Sequence, residues 1–351
     1  MLQGVWSHLR PLLALNDTKR PVGFLITVAL AMGMPGLIGA ALGQFELGAG
    51  ASIGGFACLY MRQTPIPQRL LTIAVATFGL CSAYMLGLLL NFSVWSMTLG
   101  LGLVSFWATY ICRYFSVPAP GSFFFVLVVC IAAALPFDLS SVPERLGFLF
   151  LGCFGSMTLA LAYSLLQKLR KTPLAQSPIE LLEMRLIAVA LEAGTIALFV
   201  AGSFLLAILL GFEKPYWVPI SCAAILQGAS FRAVWHRNVH RTVGTFIGFG
   251  LTSLLFALEP GPWLLAIAIV LLSFLIEFCV TRNYGLAVIF ITPLTIILAE
   301  ATHTSADVNS VIWQRVFDVI LGSAIGFIGG WLLHRPGLYE RLEQRIRRCL
   351  N

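Results

Sequence analysis

Apolar segments recur six times in residues 21–167 and six times again in residues 186–334, and the two sets can be laid over one another with a shift of about 170 residues. Under that shift Arg145, Leu151 and Gly152 fall on Arg315, Leu321 and Gly322, and Met61-Arg62 falls on Phe231-Arg232. An even number of crossings returns the chain to the side from which it started. Both sets therefore run in the same direction, as parallel repeats about an axis along the membrane normal, and a substrate site is expected where such repeats meet. The expected fold is all-α: a polytopic helical membrane protein of about 12 spans in two six-helix repeats. The spans are placed near 21–43, 47–61, 70–90, 94–111, 118–136, 145–167, 186–211, 216–231, 242–257, 261–280, 284–299 and 313–333.

Composition agrees. Charged residues make up 11% of the chain and hydrophobic ones 59%, where a soluble domain would carry roughly 25% charged residues. The net charge of +7 could point to nucleic acid. Its placement argues against that, because with the N-terminus inside, all but Arg145, Lys214 and Arg315 of the 22 Lys and Arg fall on the cytoplasmic side. That is the positive-inside bias, a topology signal. It places both termini in the cytoplasm of a cell whose plasma membrane the chain spans. The eight cysteines are scattered, mostly inside apolar segments, without metal or redox spacing and read as packing residues. No catalytic constellation, metal site or cofactor motif is found, so an enzyme is not expected.

Residues 1–20 read as an amphipathic cytoplasmic segment, 168–185 as the linker between repeats, and 335–351 as a basic amphipathic tail. The linker holds a helix start at Ser177-Pro178-Ile179-Glu180. The tail suits either anionic lipid or a second subunit. The second span of each repeat is short and interrupted, by Gly48, Gly50, Gly54 and Gly55 in one and by Pro219 and Gly228 in the other. Such matched interruptions point to a substrate site, or else to a helix that thins the bilayer. Gly39/Gly43, Gly50/Gly54, Gly152/Ser156, Gly244/Gly248, Gly322/Gly326 and Gly326/Gly330 have the spacing of close helix crossings.

A charged side chain at mid-bilayer costs about 2.5–3.5 kcal/mol on insertion scales, so each needs a reason. Glu192, Glu277 and Asp318 are candidates for proton coupling, and each also admits a structural reading. Arg315 and Asp318, three apart, can pair on one helix face. Glu277 can pair at the inner rim with Arg282 or Arg241. His236, Arg237, His240 and Arg241 form a basic inner loop, a topology signal or an attractor of organic anions. Tyr216-Trp217, Tyr284 and Trp313 sit at span ends, where they either anchor the interface or stack on an aromatic substrate.

The order Tyr216-Trp217-Val218-Pro219, then Arg241-Thr242-Val243-Gly244-Thr245 with Gly248, then Tyr284 to Thr292 (YGLAVIFIT), then Arg315, Asp318 and Gly322 resembles the fusaric acid resistance (FUSC) family. That family is related to aromatic acid exporters and, more distantly, to plant aluminium-activated malate channels. Gly33-Met34-Pro35-Gly36-Leu37-Ile38-Gly39 resembles its N-terminal half. The resemblance implies efflux of aromatic or other weak organic acids driven by the proton gradient, in some cases with a periplasmic adaptor. Arg241, Gly244, Thr245, Gly248, Arg315, Asp318 and Gly322 match the family pattern. Many relatives carry a soluble domain between the halves, where this chain has only the linker 168–185.

The expectation is a bacterial inner-membrane secondary exporter of small organic anions. Arg315, Arg241, Thr245, Trp217, Gln227, Tyr284 and Thr292 are its candidate substrate-binding residues, and Asp318, Glu277 and Glu192 its candidate proton carriers. Alternatives are a passive organic-anion channel and a membrane scaffold subunit of an export or envelope complex. The expected partners are the anion, the bilayer, an adaptor and further copies of the chain.

Overall fold

A computed structural model describes residues 12, 14–18, 20–170, 186–300, 308–335, 337 and 341. The helix start at Ser177, most of the linker, most of the tail and the Trp313 side chain lie outside the described residues.

Among the described residues the protein is helical, with no strand. The helices are α1 (Val22–Ala41), α2 (Phe45–Ser52), α3 (Ile66–Leu90), α4 (Val94–Tyr114), α5 (Phe123–Ala133), α6 (Val142–Leu169), α7 (Leu186–Leu209), α8 (Trp217–Leu226), α9 (Phe231–Phe256), α10 (Pro262–Val280), α11 (Tyr284–Glu300) and α12 (Val308–Leu333). Seven of them, α1, α3, α4, α6, α7, α10 and α12, are long and apolar enough to cross a bilayer. This is a membrane protein with fewer full-length candidate spans than the twelve expected. Helix α8 is too short for a full crossing: at about 1.5 Å per residue, its ten residues cover about 15 Å of a core roughly 30 Å thick. Helix α2 gives way after eight residues to a 3-10 helix, Ile53–Tyr60. Such runs rarely exceed three or four residues, and here glycine contacts fix it. A Cβ on Gly55 would strike Met32 of α1, and one on Gly54 would strike the Gly152-Cys153 backbone of α6.

The chain forms two compact units, each drawing helices from both sequence halves. The first unit comprises Met1–Cys81, Ser140–Ser177 and Val239–Val316. Within it α1 packs on α10, where Gly33 lies against Val270, and on α2, where Gly39 lies against Gly48. Helix α6 crosses the α2 segment with Gly152 against the Ala51 carbonyl and Ser156 Oγ donating to the Gly54 carbonyl (3.1 Å). The second unit comprises Ser82–Leu139, Pro178–Asn238 and Phe317–Asn351. There α4 packs on α7, and α12 crosses α8 with Gly322 against Val218 and Gly326 against Cys222 and Ile225.

The small-residue spacing thus marks real crossings at Gly39, Gly54, Gly152, Gly322, Gly326 and Gly330. It fails at Gly43 and Gly50, where a Cβ would meet nothing within 4 Å. Gly43 instead lies just past the end of α1 with φ +69°, a conformation that glycine adopts without strain. Cys58, Cys112, Cys130, Cys153, Cys222 and Cys279 are buried free thiols, as packing residues should be.

Candidate functional site

Helices α9 and α11 carry four of the ten residues singled out from sequence, Arg241, Thr245, Tyr284 and Thr292. They meet through glycine. A Cβ on Gly244 would lie 2.7 Å from the Gly285 carbonyl oxygen and 2.9 Å from Val288 Cβ, and one on Gly248 would lie 2.7 Å from Thr292 Cβ. The Arg241-to-Gly248 stretch and the YGLAVIFIT stretch are therefore the two sides of one helix crossing. Thr245 and Thr292 are buried, and Thr292 Oγ1 donates to the Val288 carbonyl (2.9 Å), which satisfies it within α11. Phe249, Ile296 and Val316 close the apolar layer that joins α9, α11 and α12.

Two arginines lie at different levels of this crossing. Arg315, 4% exposed, donates from Nη2 to Thr295 Oγ1 (3.2 Å) near the C-terminal end of α11. Arg241, 7% exposed, sits one turn before Gly244, toward the N-terminal end of α11. About 15 Å of helix rise separates Gly285 from Thr295. The two guanidinium groups thus belong to opposite ends of the α9–α11 pair.

The N-terminal end of the pair is tied down by residues that precede α1. Asn283 caps α11, its Oδ1 accepting from Gly285 N (2.8 Å) and Leu286 N (3.3 Å). Its Nδ2 donates to the Leu12 carbonyl (2.8 Å) and the Ala14 carbonyl (3.2 Å). Asn16 N donates to the Arg282 carbonyl (2.9 Å), and Thr281 Oγ1 donates to the Thr18 carbonyl (3.1 Å). A ring nitrogen of His240 lies 2.9 Å from the Leu12 carbonyl. Arg20 then pairs with Glu277 of α10. This corrects the expected partner: Arg282 lies instead over the Phe278 ring, 3.5 Å from its centroid. Tyr284, at the start of α11, is half-buried.

The second unit holds the remaining candidates. Trp217 is 2% exposed at the start of α8, so it packs inside the protein and is no lipid-facing anchor. Gln227, just past α8, donates from Nε2 to Ser122 Oγ (3.3 Å), which also accepts from Thr109 Oγ1 (3.0 Å). Glu192 of α7 pairs with Arg113 of α4 at 2.6 Å, with both side chains partly exposed. Asp318 of α12 is 1% exposed.

In the basic stretch at the start of α9, burial lowers His236 below the ordinary histidine value, and neighbouring Arg232 pushes in the same direction. Among the described residues no group of three His, Cys, Asp or Glu could hold a metal.

Two features escaped the sequence reading. Asn283 could have been found from its place directly before an apolar helical run, the usual N-cap position. Arg69, read only as cytoplasmic charge, is buried on α3; no local pattern announces that.

Residues 198–329 match the family described as fusaric acid resistance protein-like. The resemblance seen in the sequence therefore holds over that region, which contains α8 to α11 and most of α12. A Bacillus subtilis (strain 168) protein named "Uncharacterized membrane protein YvaC" is 25% identical over 468 aligned positions, covering 91% of this chain and 74% of that one. The alignment is longer than this chain, so the relative carries segments that this chain lacks. No solved structure matches.

Proposed function

We propose that this chain is a secondary exporter of small organic anions, aromatic or other weak acids, in the bacterial inner membrane with both termini in the cytoplasm. The observation that carries the reading is the burial of Arg241, Arg315 and Asp318 on helices of the matched region. Ionised side chains are rare inside a membrane bundle and mark substrate or ion pathways there. The family suggests a non-enzymatic role.

The architecture belongs to the same proposal: twelve crossings in two parallel repeats, the short α2 and α8 segments occupying equivalent places. Two pairs of packings support it. Helix α1 packs on α10 as α7 packs on α4, and Gly152 meets α2 as Gly322 meets α8. A shift of about 170 residues relates the members of each pair.

Proton coupling is assigned first to Asp318, the most deeply buried of the three candidate acids at 1% exposed; Glu277, also buried within the matched region, and the partly exposed Glu192 follow. Arg241 gathers the anion at one end of the α9–α11 pair and Arg315 receives it at the other. The adaptor that the resemblance suggests, and the association of further copies, are parts of this proposal.

The test is uptake of labelled aromatic acids into inverted vesicles. Accumulation that collapses with a protonophore supports the exporter. The ion pairs at Glu277 and Glu192 favour a second reading, a passive anion channel, whose flux would follow voltage and ignore the pH gradient. No flux with any acid would favour a scaffold.

A further inference from the structure

The described residues between Leu12 and Arg20 run along the N-terminal end of the α9–α11 pair, and their backbone makes the contact. The Leu12 carbonyl accepts from Asn283 Nδ2 (2.8 Å) and lies 2.9 Å from a ring nitrogen of His240. One oxygen thus bridges α9 and the cap of α11. The Ala14 carbonyl accepts from the same Asn283 amide (3.2 Å). Asn16 N donates to the Arg282 carbonyl (2.9 Å), and Thr281 Oγ1 donates to the Thr18 carbonyl (3.1 Å). Arg20 ends the run in its ion pair with Glu277, and α1 starts directly afterwards, behind Pro21.

Hydrogen bonds hold this segment, and packing does so only at its start. Ala14, Leu15, Asn16, Asp17 and Thr18 are exposed and belong to no helix or strand, whereas Leu12 is buried. Lifting residues 14–18 therefore uncovers little apolar surface, and the hydrophobic term that keeps a helix in place is small here. The bonds to be broken are the five just given. Each counts for roughly two- to tenfold in an equilibrium once water replaces the partner. Segments with few buried apolar contacts open locally while the rest of the protein stays folded. Position decides what such an opening does. His240 directly precedes Arg241, which is buried one turn before the Gly244 crossing. The segment thus lies against the end of the pair at which Arg241 gathers the anion.

We infer that residues 12–20 are an inhibitory latch on the inner entrance. Bound, the latch clamps α9 to the cap of α11 and closes the way to Arg241; released, it lets an anion enter from the cytoplasmic side. Asn283 is the catch. Its Nδ2 serves two latch carbonyls while its Oδ1 caps α11, so the latch is fastened to the helix end that it covers. The Arg20–Glu277 pair is the contact nearest α1 and serves as the hinge end, from which a released latch stays tethered. Opening of such a lid can set the rate of a whole cycle. The inference rests on the anion-export reading and adds control of its inner entrance.

The test uses the full chain with two variants that loosen the latch. Asn283→Ser keeps a capping oxygen but loses both Nδ2 bonds, and Thr281→Val loses the bond to the Thr18 carbonyl. Three readings are taken: hydrogen exchange at the Asn16 amide, the initial rate of labelled benzoate uptake into inverted vesicles, and entry of a water-soluble maleimide. The maleimide reports on Thr245→Cys, a buried position one turn beyond Arg241, counted against the same chain without that cysteine. Exchange at Asn16 should quicken about tenfold in Asn283→Ser and about threefold in Thr281→Val. Benzoate uptake and maleimide labelling should rise in the same order. Faster exchange with unchanged uptake and labelling would make the segment a structural tie and overturn the inference. Faster exchange with slower uptake would mean that the segment builds the entrance, which overturns it as well. Unchanged exchange in both variants would show that these bonds do not hold the segment, with the same consequence. If Asn283→Ser does not fold, Thr281→Val decides alone. A chain that transports no acid in any form sinks the anion-export reading; the latch is then judged by labelling, and labelling that release leaves unchanged overturns it.

Discussion

Arg20 pairs with Glu277 across 257 positions of sequence, joining the segment before α1 to the last turn of α10. The carboxylate is almost wholly buried and its partner mostly so. Breaking a buried pair from one side leaves an uncompensated charge and typically costs about 3–5 kcal/mol, whereas removing both charges costs much less. Arg20→Met should therefore destabilise the protein by about 3 kcal/mol, and Arg20→Met/Glu277→Gln should recover most of that loss. Thermal unfolding in detergent reads both. Equal stability of the single and double variants would mean that the pair does not hold the segment in place.

The α9–α11 crossing depends on the absence of a side chain at Gly248. Gly248→Ala puts a methyl group 2.7 Å from Thr292 Cβ and 2.8 Å from the Ile289 carbonyl oxygen, an overpacking that should cost about 1–3 kcal/mol. Gly250→Ala, two residues on, meets nothing within 4 Å. It should be neutral or stabilise by up to about 1 kcal/mol through helix propensity. Equal effects of the two variants on Tm would remove the crossing from the account.

Among the three candidate proton carriers Asp318 is the most deeply buried and should matter most to drive. Asp318→Asn should abolish protonophore-sensitive accumulation with normal expression. Glu192→Gln breaks a partly exposed pair, should cost less than about 1 kcal/mol and should leave drive intact. Accumulation retained in Asp318→Asn would take that residue out of the mechanism.

These outcomes bear on how much the sequence disclosed. The helical class, the packing role of most cysteines and the crossings at Gly152, Gly244, Gly248 and Gly322 were legible, because apolar runs and small-residue spacing are local properties of the chain. The α9–α11 contact explains why the Arg241-to-Gly248 and Tyr284-to-Thr292 stretches occur together, although spacing alone could not say that they touch. What stayed hidden was long-range. Glu277 has acceptable partners nearby in Arg282 and Arg241, yet Arg20 takes it. Arg69 looks like any charge at a helix start, and only the arrival of Ser164 and Gln167 buries it. Gly50 has the right spacing and faces open space, because spacing marks a face without saying what lies opposite.

His236 gives a pH signature outside the spans. Its folded-state pKa lies below the unfolded value, so folding disfavours the charged form. The stabilising contribution is present above the ordinary histidine pKa of about 6.5 and is lost as pH falls through the depressed folded value. His236→Gln should therefore flatten the dependence of Tm on pH in the acidic range. A profile identical to wild type would contradict the burial and the Arg232 effect at this ring.

The most direct test of the central claim uses the purified chain in proteoliposomes, with a labelled aromatic acid and either a pH gradient or a membrane potential imposed alone. The account predicts accumulation under the pH gradient that a protonophore abolishes. Flux that follows the potential and ignores the pH gradient would contradict proton-coupled export and establish a channel.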